Sequence, residues 1–176
     1  MRFLAAEIPD VWLIEIDRLA DHRGFFGRAY CETEFEQHGL HTSYPQCNIS
    51  FNASRGTLRG MHYQKQPAAE VKVVRCTAGA VFDVVVDLRP ESPYYCRWQG
   101  FELSAQNRTA VYIPEGCAHG FQTLTDDAEL FYVMGAPYSA AHASGVRWND
   151  PAFGIRWPVS DPLLSDKDRL YPDYNR

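Results

Sequence analysis

The chain is cut into short apolar runs, each closed by a turn, and that pattern leaves few folds open to it. Val11 to Ile16, Val71 to Cys76, Val81 to Leu88, Arg97 to Leu103, Ala110 to Ile113 and Ala128 to Met134 are rich in branched and aromatic residues. Runs of this kind read as strands, and Phe25 to Arg28 reads as a shorter one. Asp21-His22-Arg23-Gly24, Gly79-Ala80 and Arg89-Pro90-Glu91-Ser92-Pro93 supply turns and loops between them. Glu32 to His38, ended by Gly39, is the one modest helical candidate of the first half. With two further runs around Gln46 and His62, about nine or ten strands and almost no helix predict an all-β sandwich or barrel. The 176 residues suffice for a single domain with a real core, spanning 1–176. From about Ser139 the periodicity fades into a proline-rich tail that holds Trp148, Trp157 and Leu164-Ser165-Asp166-Lys167-Asp168. Its aromatic content predicts ordered loops and short helices packed against a sheet.

The stretch Arg55-Gly56-Thr57-Leu58-Arg59-Gly60-Met61-His62-Tyr63-Gln64 concentrates the chemistry. Glycine inside a strand pattern marks a bulge or a close approach to a ligand. Strict alternation puts Leu58, Gly60, His62 and Gln64 on one face and Arg59 on the other. A bulge near Gly60 would bring Arg59 and His62 to one site, where a cation beside a histidine suits an anionic substrate undergoing proton transfer. The competing reading is a charged turn beside a core histidine. Gln46, Asn48 and Ser50 share one face of a strand, which is either solvated or the wall of a polar cavity. Lys72 shares a face with Val74 and Cys76, and either snorkels to water or enters a site. Asp83 lies deep in an apolar run, so a buried carboxylate with a partner is expected there. Ile113-Pro114-Glu115-Gly116-Cys117-Ala118-His119 is a turn that delivers a histidine to the start of the next strand. Tyr132 falls on one face with Leu130 and Met134.

Composition narrows the partners. Net charge is −5 and the pI about 5.6, so bulk charge gives no support for binding nucleic acid or a membrane surface. No apolar stretch approaches the roughly 20 residues needed to span a bilayer. Cys31, Cys47, Cys76, Cys96 and Cys117 are odd in number and scattered without a C-x-x-C pair, which argues against a disulfide framework or a zinc–thiolate site. Met1 to Asp10 lacks the basic segment and apolar core of a signal peptide, so the expected compartment is a reducing cytoplasm.

The P-x-G-x-x-H turn resembles the second histidine motif of cupin-type jelly rolls, in which two antiparallel sheets pack face to face. Metal-binding cupins carry H-x-H plus a glutamate in their first motif. This chain has His62 and then Gln64, so even with Glu70 and His119 the ligand set is short of a histidine, and no metal is expected. R-G-x-L-R-G-M-H-Y-Q, a lysine ten residues after the histidine, V-F-D-V-V-V-D-L-R, and I-P-E-G-x-A-H-G-F follow one another in order. From about Arg23 to Asp168 this series resembles the dTDP-4-dehydrorhamnose 3,5-epimerase family.

The resemblance implies an isomerase that needs neither metal nor redox cofactor. Its substrate would be a dTDP-linked 4-keto-6-deoxy sugar, inverted at C3 and C5 through an enolate. It implies His62 as base and Asp168 as the group that orients it, with Tyr132 as the acid on the opposite face. Lys72 would stabilise the enolate oxygen, and Asp83 and His119 would form a supporting polar pair, His119 also at the substrate. Arg23 and Arg59 match nucleotide and diphosphate contacts, Gln46 and Asn48 match polar substrate contacts, Phe26 packs near the nucleotide, and Lys167 touches substrate. The family is homodimeric with N-terminal strands exchanged, so residues 1–30, including Arg23, Phe26 and Arg28, would line the partner's site. Two positions depart from the family pattern. Arg28 and Ala143 stand where acidic residues are usual, which leaves the nucleotide base and the exact sugar open. Relatives with the same core residues act at C3 only, so a C3-only epimerase is the nearest alternative. A non-catalytic sugar-nucleotide-binding cupin and a metal-dependent cupin oxygenase lie further off.

Overall fold

The structure is a computed structural model that describes residues 1–175. In chain order the elements are β1 (Arg2–Ala5), β2 (Trp12–Glu15), β3 (Leu19–Asp21), β4 (Gly24–Phe26), α1 (Glu32–Gln37), β5 (Gln46–Asn52) and β6 (Leu58–Gln64). There follow β7 (Lys72–Ala78), β8 (Ala80–Asp87), β9 (Trp98–Ser104), β10 (Ala110–Ile113), β11 (Cys117–Thr123), β12 (Ala128–Met134), β13 (Ala143–Gly145) and α2 (Asp166–Arg169). Six strands pair in the order β1-β2-β10-β7-β12-β5, and five in the order β13-β6-β11-β8-β9. The small hairpin β3-β4 stands apart as its own sheet.

The two large sheets close on each other as the antiparallel jelly roll of the cupin type. Alternation decides which side chains meet between them. Val74 and Cys76 of β7, Val111 of β10 and Leu130 of β12 face Val81 and Val85 of β8, Leu103 of β9 and Phe121 of β11. Each such buried apolar side chain contributes about 2 kcal/mol. The outer faces are covered too. Phe35 of α1, with Leu40, packs on Ile14, Val71, Val73 and Tyr112 behind the six-stranded sheet. Val146 and Phe153 from the tail pack on Met61, Val84 and Val86 behind the other. This double burial is why β8 reads as a nearly unbroken apolar run.

The tail is strapped down by backbone pairing rather than by a pattern of its own. Leu58 N–H donates to the Leu163 carbonyl at 2.8 Å, and Leu163 N–H to the Gly56 carbonyl at 2.9 Å. The buried amide of Gln122 donates to the Val159 carbonyl and accepts from the Val159 N–H, both at 2.9 Å. These contacts carry α2 back to β6.

The sequence reading undercounts the strands, since the described residues hold thirteen. β1, β3 and β13 have no apolar alternation and exist because a neighbour offers an edge, as when Ala143-Ser144-Gly145 pairs with Gln64-Tyr63-His62. Among the described residues no helix is long and apolar enough to cross a membrane.

Candidate active site

The interior is not filled everywhere. An open-mouthed cavity of about 540 Å³ lies between β5, β7 and β12 of one sheet and β6, β11 and β13 of the other. That volume suits a small organic ligand.

A bulge builds its first wall. His62 stands opposite His119 and Arg59 opposite Phe121, so β6 takes three steps where β11 takes two. The extra residue falls at Gly60–Met61. Met61 turns outward into the core behind the sheet, while Arg59 and His62 both line the cavity. The conflict between strict alternation and a shared site is thereby resolved. Only glycine fits here. A Cβ on Gly60 would lie 2.7 Å from Gly120 Cα, and Gly60 has φ of +152°. The Gly60 backbone, at the bulge, helps to hold the Asp168 carboxyl low.

His62 Nε2 lies 2.6 Å from Asp168 Oδ1, with the histidine side chain 40% exposed and the aspartate 5%. Ser165 Oγ caps α2 by accepting from the Asp168 N–H at 3.1 Å, which fixes the carboxylate. Burial pushes the Asp168 carboxyl up, but hydrogen bonds from His62, Gly60 and Ser165 outweigh it and hold the group below its ordinary value. An ionised carboxylate only accepts, so Nε2 donates and Nδ1 is the basic nitrogen of a neutral ring.

Across the cavity stands Tyr132 of β12. Burial first, and then the negative charge of Asp83, push its phenol well above the ordinary value, while Arg59 pulls it down less. Tyr132 therefore keeps its proton. The His119 ring meets it edge-on, centroids 6.0 Å apart. His119 Nε2 is 2.8 Å from Asp83 Oδ2, and both side chains are almost fully buried. Asp83 thus has the partner its position demanded, although its Oδ1 lacks a hydrogen bond.

Lys72 does not snorkel. It is 6% exposed and lines the cavity, with Nζ 2.9 Å from Glu70 Oε1 and 3.0 Å from the His62 carbonyl oxygen. Gln46, Asn48 and Ser50 form the polar wall, and Gln46 Nε2 donates to Asn48 Oδ1 at 3.1 Å. Arg59 Nε donates to Asn52 Oδ1 at 2.8 Å, and Lys167 lines the rim. A histidine–aspartate pair, a phenol and an ammonium thus share one cavity with two further cations, an arrangement fit for proton transfer on an anionic substrate.

Arg23, Phe26 and Arg28 are not brought to this cavity within one chain. Arg23 and Phe26 sit on the β3-β4 hairpin with Arg23 paired to Asp21, and the exposed Arg28 pairs with Glu34 at 2.9 Å. Three residues have roles that the sequence reading did not assign. Asn52 braces Arg59. Gln64, buried, donates to the Ala68 and Pro137 carbonyls and accepts from the Ser139 N–H, pinning two loops. Glu70 faces Lys72, and its place two residues before the lysine was the available signal, since i and i+2 share a face in extended chain. Among the described residues no three His, Cys, Asp or Glu side chains are grouped to hold a metal ion, and Glu70 and His119 are each paired elsewhere.

The family model described as dTDP-4-dehydrorhamnose 3,5-epimerase matches residues 5–176. The dTDP-4-dehydrorhamnose 3,5-epimerase of Shigella flexneri is 45% identical over 169 residues, covering 96% of this chain and 93% of that protein. The dTDP-4-dehydrorhamnose 3-epimerase of Streptomyces niveus is 42% identical over 170 residues, covering 96% and 82%. A crystal structure of the dTDP-4-dehydrorhamnose 3,5-epimerase of Bacillus anthracis, with TDP and PPi bound, matches with a TM-score of 0.95 at 42% identity, covering 98% of this chain and 99% of that one.

Proposed function

The chain belongs to the dTDP-4-dehydrorhamnose 3,5-epimerase family, and we propose that it inverts C3 and C5 of a dTDP-linked 4-keto-6-deoxy-hexose. One observation carries this reading: the His62–Asp168 pair and the protonated Tyr132 face one cavity from opposite sheets, with Lys72 on its wall. C3 and C5 both flank the ketone, so each proton is acidified by enolate formation. His62 Nδ1 takes the proton from one face, and the electron pair moves to the carbonyl oxygen. Lys72 meets the developing enolate with an N–H, as preorganised donors do. Tyr132 gives its proton to the opposite face of the same carbon. The imidazolium and the phenolate then reset through solvent at the open mouth, and the cycle repeats at the second carbon. The ketone itself supplies the acidity, so the step calls for no metal or redox cofactor.

Arg59 and Lys167 take the diphosphate, for which guanidinium and ammonium are suited. Gln46, Asn48 and His119 contact the sugar. Arg23, Phe26 and Arg28 serve the cavity of a second subunit in a homodimer. In support, every residue of β3 and β4 is exposed, with Phe26 at 74% and Leu19 at 71%. The compartment we assign is the cytoplasm.

The test is solvent exchange into dTDP-4-keto-6-deoxyglucose in D₂O, read by NMR, with wild type beside His62→Ala and no metal added. Label at C3 and C5 in the wild type alone is the expected result. Label at C3 only selects a C3 epimerase, the activity in the name of the 42% identical Streptomyces niveus protein. Bound nucleotide sugar without label makes the protein a binding module, and exchange that survives His62→Ala removes the base assignment.

A further inference from the structure

Glu70 stands outside the mechanism as written, yet it is the group nearest the ammonium that the mechanism needs. Glu70 lies near the end of the connection from β6 to β7, two residues before β7 begins at Lys72, and Gln64 anchors that connection by donating to the Ala68 carbonyl at 2.8 Å. The two side chains meet on the cavity wall. Their contact is 2.9 Å, with the glutamate 7% and the lysine 8% exposed, so water competes weakly for either. Lys72 also donates to the His62 carbonyl oxygen at 3.0 Å.

A lysine ammonium has three N–H bonds in tetrahedral directions. Glu70 and the His62 carbonyl take two of them, so the direction of the third is fixed. Both acceptors are themselves held in place, one by a pinned loop and the other by the backbone of the strand that carries the base. We propose that Glu70 is a positioning residue that, with the His62 carbonyl, clamps Lys72 so that its one uncommitted N–H points at the oxygen of the enolate formed in this cavity. The clamp also ties the ammonium to the residue that removes the proton, so base and oxyanion donor keep a constant separation. A long, flexible lysine would otherwise sample many directions. The inference rests on the enolate reading above.

The experiment is a double-mutant cycle on Glu70 and Lys72, read by steady-state kinetics, deuterium exchange and thermal unfolding. Glu70→Ala is expected to lower kcat about 10- to 100-fold with KM not raised, since the loss is one of orientation at the reacting oxygen. Glu70→Gln keeps an acceptor oxygen of the same reach and is expected to recover kcat to within about fivefold of wild type. In a Lys72→Ala background, Glu70→Ala is expected to cost nothing further beyond about twofold. Glu70→Gln also keeps the test open should Glu70→Ala fail to fold. Wild-type kcat in Glu70→Ala overturns the proposal, as do full and independent losses from the two residues. A wild type that takes up no label removes the enolate premise and Glu70's role with it. A wild type that exchanges normally beside an equally active Glu70→Ala removes the clamp alone.

Discussion

Two histidine–aspartate pairs lie side by side in this molecule in different settings. His62 and His119 face each other across the β6–β11 pairing, and each Nε2 touches a carboxylate, at 2.6 and 2.8 Å. The second pair is made by the sheet itself. Asp83 is on β8, the neighbour of β11, and the pair is sealed at 4% and 0% exposure. The first pair is made by the end of the chain. Asp168 arrives on a one-turn helix strapped to β6, and the ring it holds is 40% exposed. On the proposed mechanism the same two residue types give a brace in one place and a base in the other. What separates them is access: the half-open His62 ring can exchange a proton with substrate, whereas the nearly buried His119 ring, though it reaches the cavity wall, is held against Asp83 beside Tyr132.

The sharpest way to break this contrast is to remove the His62 ring, then the hydroxyl beside His119, and see which property falls. His62→Ala is expected to lower kcat about 10⁴-fold, at the upper end for loss of a general base, with the thermal midpoint nearly unchanged. Tyr132→Phe comes next, at about 10³-fold on product formation. Its signature is uncoupling: deuterium still enters where His62 abstracts, but the inverted product does not accumulate. Equal losses of label and product in Tyr132→Phe would take the acid role away from Tyr132.

The contrast between the pairs also marks what sequence could and could not show. Strand-rich architecture was legible because alternation survives in β5, β7 and β12 and β8 is a nearly unbroken apolar run, and the depth of Asp83 in that run called for a buried partner, whereas counting in twos left Lys72 between water and a site. The shared site of Arg59 and His62 was legible only as a conflict. Gly60 signals a bulge, but where the extra residue falls depends on the close approach of Gly120 from another strand. β1, β3 and β13 were invisible because backbone pairing at an edge asks little of side chains. Asp168 was reached through resemblance alone, since nothing local in Leu164-Ser165-Asp166-Lys167-Asp168 announces a docking partner 106 residues away. Glu70 was weighed only as a metal ligand, because its real partner is defined by a salt bridge that forms after the β6–β7 connection folds.

Removing the carboxylates should separate the pairs further. Asp168→Ala is expected to lower kcat about 10²-fold by letting the ring drift from its productive orientation, with a small change in stability. Asp83→Ala should do the reverse and cost about 3 kcal/mol in urea unfolding, because it leaves a buried histidine without its acceptor. A kcat loss in Asp83→Ala larger than that in Asp168→Ala, measured where both remain folded, would exchange the roles assigned to the two pairs.

The smallest effect tests the electrostatics behind the base. The Asp168 carboxyl is held below its ordinary 3.8 because hydrogen bonds from His62, Gly60 and Ser165 outweigh the opposing effect of burial. A depressed folded value means that ionised Asp168 stabilises the fold fully above its ordinary value, and that this contribution is lost as pH falls through the depressed one. Asp87, held low by Arg89 and Ser92 against its own burial, loses its contribution in the same direction. Wild-type acid unfolding alone therefore cannot isolate Asp168. The stability difference between wild type and Asp168→Asn can. Measured by urea unfolding, it is expected to stay level from about pH 6 to pH 5 and to shrink as pH drops from about 4 towards 2. A difference that stays constant through that window means that Asp168 is not an ionised acceptor. Nε2 of His62 then need not carry the proton, and Nδ1 loses its standing as the atom that deprotonates the sugar.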